Sequence, residues 1–330
     1  MSVDTLVSSL ADLGDFSVAL REKALVTLDI EGVELSRVGT IELISIGIEL
    51  ERNLVRTFIF DASNASSGSP LYIAQISVLK EVLESPDVVK IIHDCRQDSD
   101  ALLAHLGIQL VNVFDTVVWN AVLNKSDELM NLNNTLVAFE CAINENRDAS
   151  KNIYKDNPNF WATRPVTAHM IAYAAGDVSV LFELHRKMTQ RAAEDPELQV
   201  LAETKSQAAL GAFRDCKFHE VVEVPQDDIK RVCGQKGKNI RKIEEDTGGW
   251  LTNRRDEGFL IFAKSEQQLA EVRHCVIKCT TAYREAERER KRFAEEARLL
   301  AIQQNSKHKS QQNKGKTTDN KDATRRKSKK

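Results

Sequence analysis

The sequence predicts an α/β domain over about the first 200 of its 330 residues, followed by a second, smaller α+β domain. Three observations carry this. Strand-length apolar runs come first and then alternate with helical patterns; a compact strand, helix, glycine turn, helix, strand, strand, helix pattern begins at His219; and charge is divided sharply along the chain. With 42% hydrophobic residues the chain has enough apolar side chain for a sizeable core.

The elements follow in order. Residues 1–16 read as a short amphipathic helical lead-in, with Leu6, Leu10 and Leu13 at helical spacing. Runs at 24–30, 41–48 and 54–60 are rich in Ile, Val and Phe, and three such strands in sequence predict a meander. Gly68, Ser69 and Pro70 break the chain, after which Ile73, Ile76, Leu79, Val82 and Leu83 mark an amphipathic helix. A strand at 88–93 leads into a helix from about Gln97, which turns Ala101, Leu102 and His105 inward and stops at Gly107. A strand at 110–114 precedes Asp115 and Thr116, capping residues for a helix with Val117, Val118, Ala121 and Val122. Residues 129–142 read as helical and 144–165 as polar and proline-punctuated; one helix then runs from Pro165 and Thr167 to about Ala193. The expected divisions are 1–200 and 219–282 for the two domains, with a linker helix at 201–218. A charged helix at 283–305 and a disordered basic tail at 306–330 complete the chain.

Composition excludes several classes. The longest apolar stretches fall well short of the roughly 20 residues of a membrane span, and Asp4, Asp12 and Asp15 stand where a signal peptide would be basic and then apolar. An intracellular protein is expected, in nucleus or cytoplasm, with no membrane partner. Six cysteines without a Cys-x-x-Cys pair argue against a disulfide frame or structural zinc, and Cys275 and Cys279 read as two half-buried thiols on one helix face. The tail at 306–330 carries ten Lys or Arg against Asp319 and Asp322, so the formal charge of −3 conceals an acidic body and a basic arm suited to a polyanion.

Four carboxylates and a tyrosine suggest chemistry. Asp29 and Glu31 are two apart on a strand and share a face; Tyr173 and Asp177 are four apart on a helix and also share one; Asp98 follows another strand. Hard divalent ions prefer such oxygen ligands, and a pair of them can activate water and stabilise the leaving oxygen of a phosphodiester. In the second domain, Gly234-Gln235-Lys236-Gly237 lies between two helices. There the glycines let backbone approach phosphates, and Lys236 and Lys238 add attraction.

These residues resemble the DEDDy branch of the ribonuclease D-like 3′-5′ exonucleases. The matching segments are Leu28-Asp29-Ile30-Glu31, residues 90–102 around Asp98, and Trp161 to Pro165 together with Tyr173 to Val178. Residues 31–39 and 93–96 are similar more particularly to the Egalitarian-type group. The resemblance covers about residues 20 to 190 and implies a ribonuclease H-like (DnaQ-like) fold with a mixed sheet and two ions, Mg²⁺ or Mn²⁺. It further implies that Asp29 bridges both ions, Glu31 and Asp177 complete the first site, Asp98 holds the second directly or through water, and Tyr173 orients the attacking water. Asp94 and Asp100 fall off the register and are expected to be surface acids. His93 is expected to be a packed strand-end histidine, and Ser45 departs from the glutamine common in relatives.

The glycine turn resembles the signature loop of a KH (K-homology) domain, a single-strand-binding module. Gly234, Gln235, Lys236, Gly237, Lys238, Ile240 and Arg241 would meet the nucleic acid, with Ile229, Val232, Ile240 and Ile243 lining a groove. The expected function is a metal-dependent 3′-5′ exonuclease on single-stranded RNA, with single-stranded DNA as the alternative substrate. The rival is a catalytically silent RNA-binding adaptor, and the helix at 283–305 is a surface for a protein partner or a second copy.

Overall fold

The computed structural model describes residues 3–63, 68–147, 153, 157–254, 257–280, 285 and 288–299. A six-stranded sheet organises the first 200 residues, in the order β1 (Val3–Val7), β4 (Leu54–Asp61), β3 (Leu43–Glu51), β2 (Leu25–Glu31), β5 (Val89–Ile92), β6 (Val113–Asp115). The expected meander is present, since β2, β3 and β4 pair antiparallel; β1, β5 and β6 join parallel, so the sheet is mixed. β3 is buried from Leu43 to Ile48 without alternation, as expected of a strand covered on both faces.

One face packs on α1 (Leu10–Leu20), α2 (Pro70–Leu83) and α3 (Cys95–Leu106), with Phe16, Leu28, Ile46, Phe58, Leu79 and Leu102 in its core. The opposite face carries α4 (Thr116–Leu123), α5 (Leu132–Ala138), α6 (Ala168–Ser179) and α7 (Leu181–Ala192). Its cores are built on Leu43, Ile59 and Met170 under α6, and on Trp119, Leu136 and Leu184 under α4, α5 and α7.

Two expectations are corrected. Residues 3–7 are not a helical lead-in but a strand, in register with β4 from Val3↔Arg56 to Val7↔Phe60. That pairing is non-local, whereas helical spacing reports only neighbours; the helix begins at Leu10, behind the Ser9 cap. The single helix expected up to Ala193 is two, divided at Val180, so that α6 lies on the sheet while α7 packs on α4. The helix between the two domains is α8 (Pro196–Arg214); it runs along α3 and α4 and buries Ala202, Ser206, Leu210, Ala212 and Phe213.

The second pattern forms the sheet β7 (Phe218–Glu223), β9 (Gly258–Ala263), β8 (Trp250–Arg254), fully antiparallel. Helices α9 (Gln226–Cys233), α10 (Lys238–Thr247) and α11 (266–280) complete the expected order. Val232, Ile243, Leu251, Phe259, Ile261 and Val272 fill the core between helices and sheet, with Cys275 and Cys279 packed against it; all six cysteines are free thiols. β9 is buried on both faces because Leu260 and Phe262 point away from that core, onto Ala212, Phe213 and Cys216 at the end of α8. Residues 288–299 are helical; the rest of the expected 283–305 helix, apart from Glu285, and the whole basic tail lie outside the described residues. Among the described residues, no helix is long and apolar enough to cross a membrane.

Candidate active site and nucleic-acid interface

The sheet brings the first two carboxylates to an open end. β2 pairs with β5 from Leu25↔Val89 to Thr27↔Ile91, and Asp29 and Glu31 lie beyond that pairing on one side of the strand. α6 crosses this side, held by the Thr167 cap, whose hydroxyl accepts from Met170 N–H at 3.2 Å. It presents Tyr173 and Asp177 one turn apart, both buried. One carboxylate oxygen from each of Asp29, Glu31 and Asp177 lies within 4.8 Å of the others.

Asp98 approaches from α3. Asp115 fixes the start of that helix, accepting from Asp94 N–H at 3.0 Å and Cys95 N–H at 2.9 Å, while also capping α4 through Val117 N–H at 3.0 Å. Asp98 stands outside the three-carboxylate group but feels the Asp29 charge. Of the five predicted residues, then, three carboxylates converge, Tyr173 shares the helix of one of them, and Asp98 flanks them.

Electrostatics set this group apart. Burial, and then the charge of Asp177, push the Asp29 carboxyl up to about 8. Burial followed by the charge of Asp29 raises both Glu31 and Asp98 well above the carboxylate range. Burial, reinforced by Glu31 and Asp177, holds the Tyr173 phenol protonated. Uncompensated, such a cluster is costly, and divalent cations would relieve it. The donors fit such ions: all are hard oxygens, and opposite Asp29 in the strand register stands Ser45, whose buried hydroxyl has no partner among the described residues.

Two residues here escaped sequence reasoning. Asn144 donates through Nδ2 to Asp177 Oδ1 at 2.7 Å and to the Tyr173 carbonyl at 3.1 Å. Gly176 makes room for it, since a Cβ there would fall 2.5 Å from the Asn144 amide. Arg147 pairs with Asp177 Oδ2 at 3.1 Å and covers the Tyr173 ring, 5.6 Å from its centroid. Both come from the polar stretch after α5, and the sole available signal was amide and guanidinium groups just upstream of Tyr173.

Asp100 is not a surface acid. It is 1% exposed and bound by Arg37, whose Nε lies at 2.8 Å and whose Nη2 lies at 2.6 Å. Asp94 is partly exposed and paired with Arg96 at 2.6 Å. His93 is a packed strand-end histidine, its nitrogens 2.8 Å from Thr116 Oγ1 and 3.1 Å from the Met130 carbonyl.

In the second domain, residues 235–237 form one tight turn between α9 and α10. Gly234 and Gly237 take φ of 70° and 74°, a region costly for side-chain-bearing residues. A cleft of about 500 Å³ is lined by Gln226, Ile229, Lys230, Cys233, Gly234, Gln235 and Asn253. Lys238 is exposed, Ile240 is half-buried against the core, and Arg241 donates to the Lys236 carbonyl at 2.8 Å. Lys236 reaches away from the cleft, pairing with Glu128 at 2.9 Å. Val232 and Ile243 do not line the groove but sit in the core.

Comparison with known proteins agrees with this architecture. Residues 5–193 match the model of the 3′-5′ exonuclease family, and residues 219–286 match that of the KH domain. Mouse piRNA biogenesis protein EXD1 is 26% identical over 245 residues, 68% of this chain and 40% of that protein. Ribonuclease D of Pseudomonas paraeruginosa is 28% identical over 133 residues, 40% of this chain and 33% of the relative. The chain thus spans less than half the length of either. The crystal structure of Trypanosoma brucei RNase D superposes with a TM-score of 0.53 at 18% identity, covering 64% of this chain and 72% of that one, a likeness of fold. With a family match over more than half its length and the mixed six-stranded sheet those residues build, the chain belongs to the 3′-5′ exonuclease family and carries a KH domain behind the exonuclease domain.

Proposed function

We propose that this chain removes nucleotides from the 3′ end of single-stranded RNA by metal-assisted hydrolysis. The convergence of Asp29, Glu31 and Asp177 within 4.8 Å, on the side of the sheet that Tyr173 also faces, carries the reading. Asp29, Glu31 and Asp177 would hold one Mg²⁺ or Mn²⁺, and Asp29 with Asp98 a second; such ions activate water and stabilise the leaving oxygen. Asn144 keeps the Asp177 carboxylate oriented through its 2.7 Å hydrogen bond. Tyr173 retains its proton at neutral pH, so its hydroxyl can both donate to and accept from the attacking water. The KH turn adds a second contact to the strand: Gly234 and Gly237 admit phosphates, while Lys238, Arg241 and the cleft beside Ile229 hold bases and backbone. Two modest contacts on one strand raise the effective concentration of its end at the active site. Relatives named ribonuclease D favour RNA over DNA.

The test uses 5′-labelled single-stranded RNA with Mn²⁺. A ladder shortening from the 3′ end is expected, with a 3′-blocked strand left intact; an undegraded free-ended strand contradicts the reading. One observation favours a silent RNA-binding adaptor: Arg147 already pairs with Asp177. Calorimetry separates the two, since an adaptor binds no Mn²⁺ at Asp29.

A further inference from the structure

Arg147 occupies an unusual position. Its guanidinium meets Asp177 Oδ2 at 3.1 Å, lies over the Tyr173 ring, and acts electrostatically on Asp29 and Glu31 as well. Asp177 is nearly inaccessible, whereas the Arg147 side chain is 32% exposed and so has solvent on one side. The two oxygens of Asp177 are held differently. Oδ1 accepts from the neutral amide of Asn144, which is anchored to the backbone of α6; Oδ2 accepts from a cation.

An amide donor is compatible with a divalent ion on the same carboxylate, because it uses one lone pair and brings no charge. A guanidinium competes with such an ion, because it places positive charge beside positive charge in a poorly solvated site. We propose that Arg147 is the counter-cation of the metal-free site, and that its guanidinium leaves Asp177 Oδ2 as divalent ions load, so that loading exchanges one cation for others. This rests on the exonuclease reading above. Arg147 is therefore a positioning residue: without ions it keeps three crowded carboxylates in place, and it sets how tightly ions must bind to displace it. Asn144 stays behind to fix the orientation of Asp177.

The test compares full-length wild type, Arg147→Gln and Arg147→Lys by thermal melting in EDTA and in saturating Mn²⁺, and by calorimetric Mn²⁺ titration, with Asp29→Asn defining the heat that belongs to this site. Arg147→Gln should melt lower than wild type in EDTA, by roughly 3 °C. In Mn²⁺ the deficit should vanish, and Mn²⁺ should bind about tenfold more tightly, since nothing is displaced. Arg147→Lys, which keeps the charge, should melt in EDTA within about a degree of wild type. An equal deficit with and without Mn²⁺, together with unchanged affinity, would show a merely structural arginine and overturn the proposal. An absence of Mn²⁺ heat from wild type would instead overturn the metal reading itself, and the exchange with it.

Discussion

Phe213 and Phe262 stack 4.5 Å apart and 2° from parallel, joining the last turn of α8 to the central strand of the KH sheet. Arg37 completes this junction: it binds Asp100 on α3, donates to the carbonyls of Phe213 and Cys216, and lies over the Phe262 ring. Nearby, Gln97 Nε2 donates to Thr252 Oγ1 at 3.1 Å, one residue from Asp98. The outer face of the KH sheet is thus packed against the helix that follows the exonuclease domain, and the two domains share buried surface.

Arg37→Ala should therefore uncouple them. It leaves the buried Asp100 carboxylate with the backbone N–H of residue 37 but without its counter-charge, at a cost of about 3–5 kcal/mol. Guanidinium unfolding followed by tryptophan fluorescence should show an earlier, broader transition than wild type. A midpoint shift no larger than that of Lys125→Ala, at an exposed position, would contradict this.

Asp29→Asn should stabilise the metal-free protein while removing activity. The folded carboxyl titrates near 8 against an ordinary 3.8, so the folded state binds the extra proton between those values. Stability from this group is greatest below pH 3.8 and falls as pH rises toward 8. In EDTA the variant should melt about 2–4 °C above wild type at pH 8, with a smaller gain at pH 5. A lower melting temperature at pH 8 would refute the crowding of charge at this site.

Tyr173→Phe separates chemistry from packing. The ring fills space against Trp161, 5.5 Å between centroids, and only the hydroxyl is lost. The turnover rate should fall about 10²-fold or more, with melting unchanged within about a degree. An unaltered rate would remove the hydroxyl from the mechanism.

Gly234→Ala should impair strand binding. At φ 70° its new Cβ would fall 2.7 Å from the Asn239 side chain and 2.9 Å from its backbone nitrogen, so the turn must distort. Fluorescence anisotropy with a twelve-nucleotide RNA in Ca²⁺ should show weaker affinity. Lys238→Gln should leave the turn intact and lower the salt dependence of binding. Wild-type affinity for Gly234→Ala would place the strand elsewhere.

What the sequence revealed tracks the range of the contacts involved. Asp29 with Glu31, and Tyr173 with Asp177, are legible because strand and helix periodicity alone puts each pair on one face. The KH order is legible for the same reason: each element announces itself locally and the glycine turn marks the junction. Asn144 and Arg147 were not legible, because nothing local in the polar stretch after α5 says that it folds back on α6, 26 to 33 residues later. Asp100 misled in the same way, its partner Arg37 lying 63 residues away. The strand Val3–Val7 was hidden because its identity depends on pairing with β4 rather than on its own pattern. The α8 stripe opens on Ala202 and Ser206, too small or polar to signal burial by composition, before it reaches Leu210 and Phe213.

Metal-dependent hydrolysis at a 3′ end is the activity we propose for the Asp29 cluster. The most direct measurement follows 5′-labelled single-stranded RNA with wild type in Mn²⁺, wild type in EDTA, and Asp29→Asn in Mn²⁺. A shortening ladder is expected in the first reaction alone. Degradation by Asp29→Asn at the wild-type rate, or none by wild type in Mn²⁺, would contradict it.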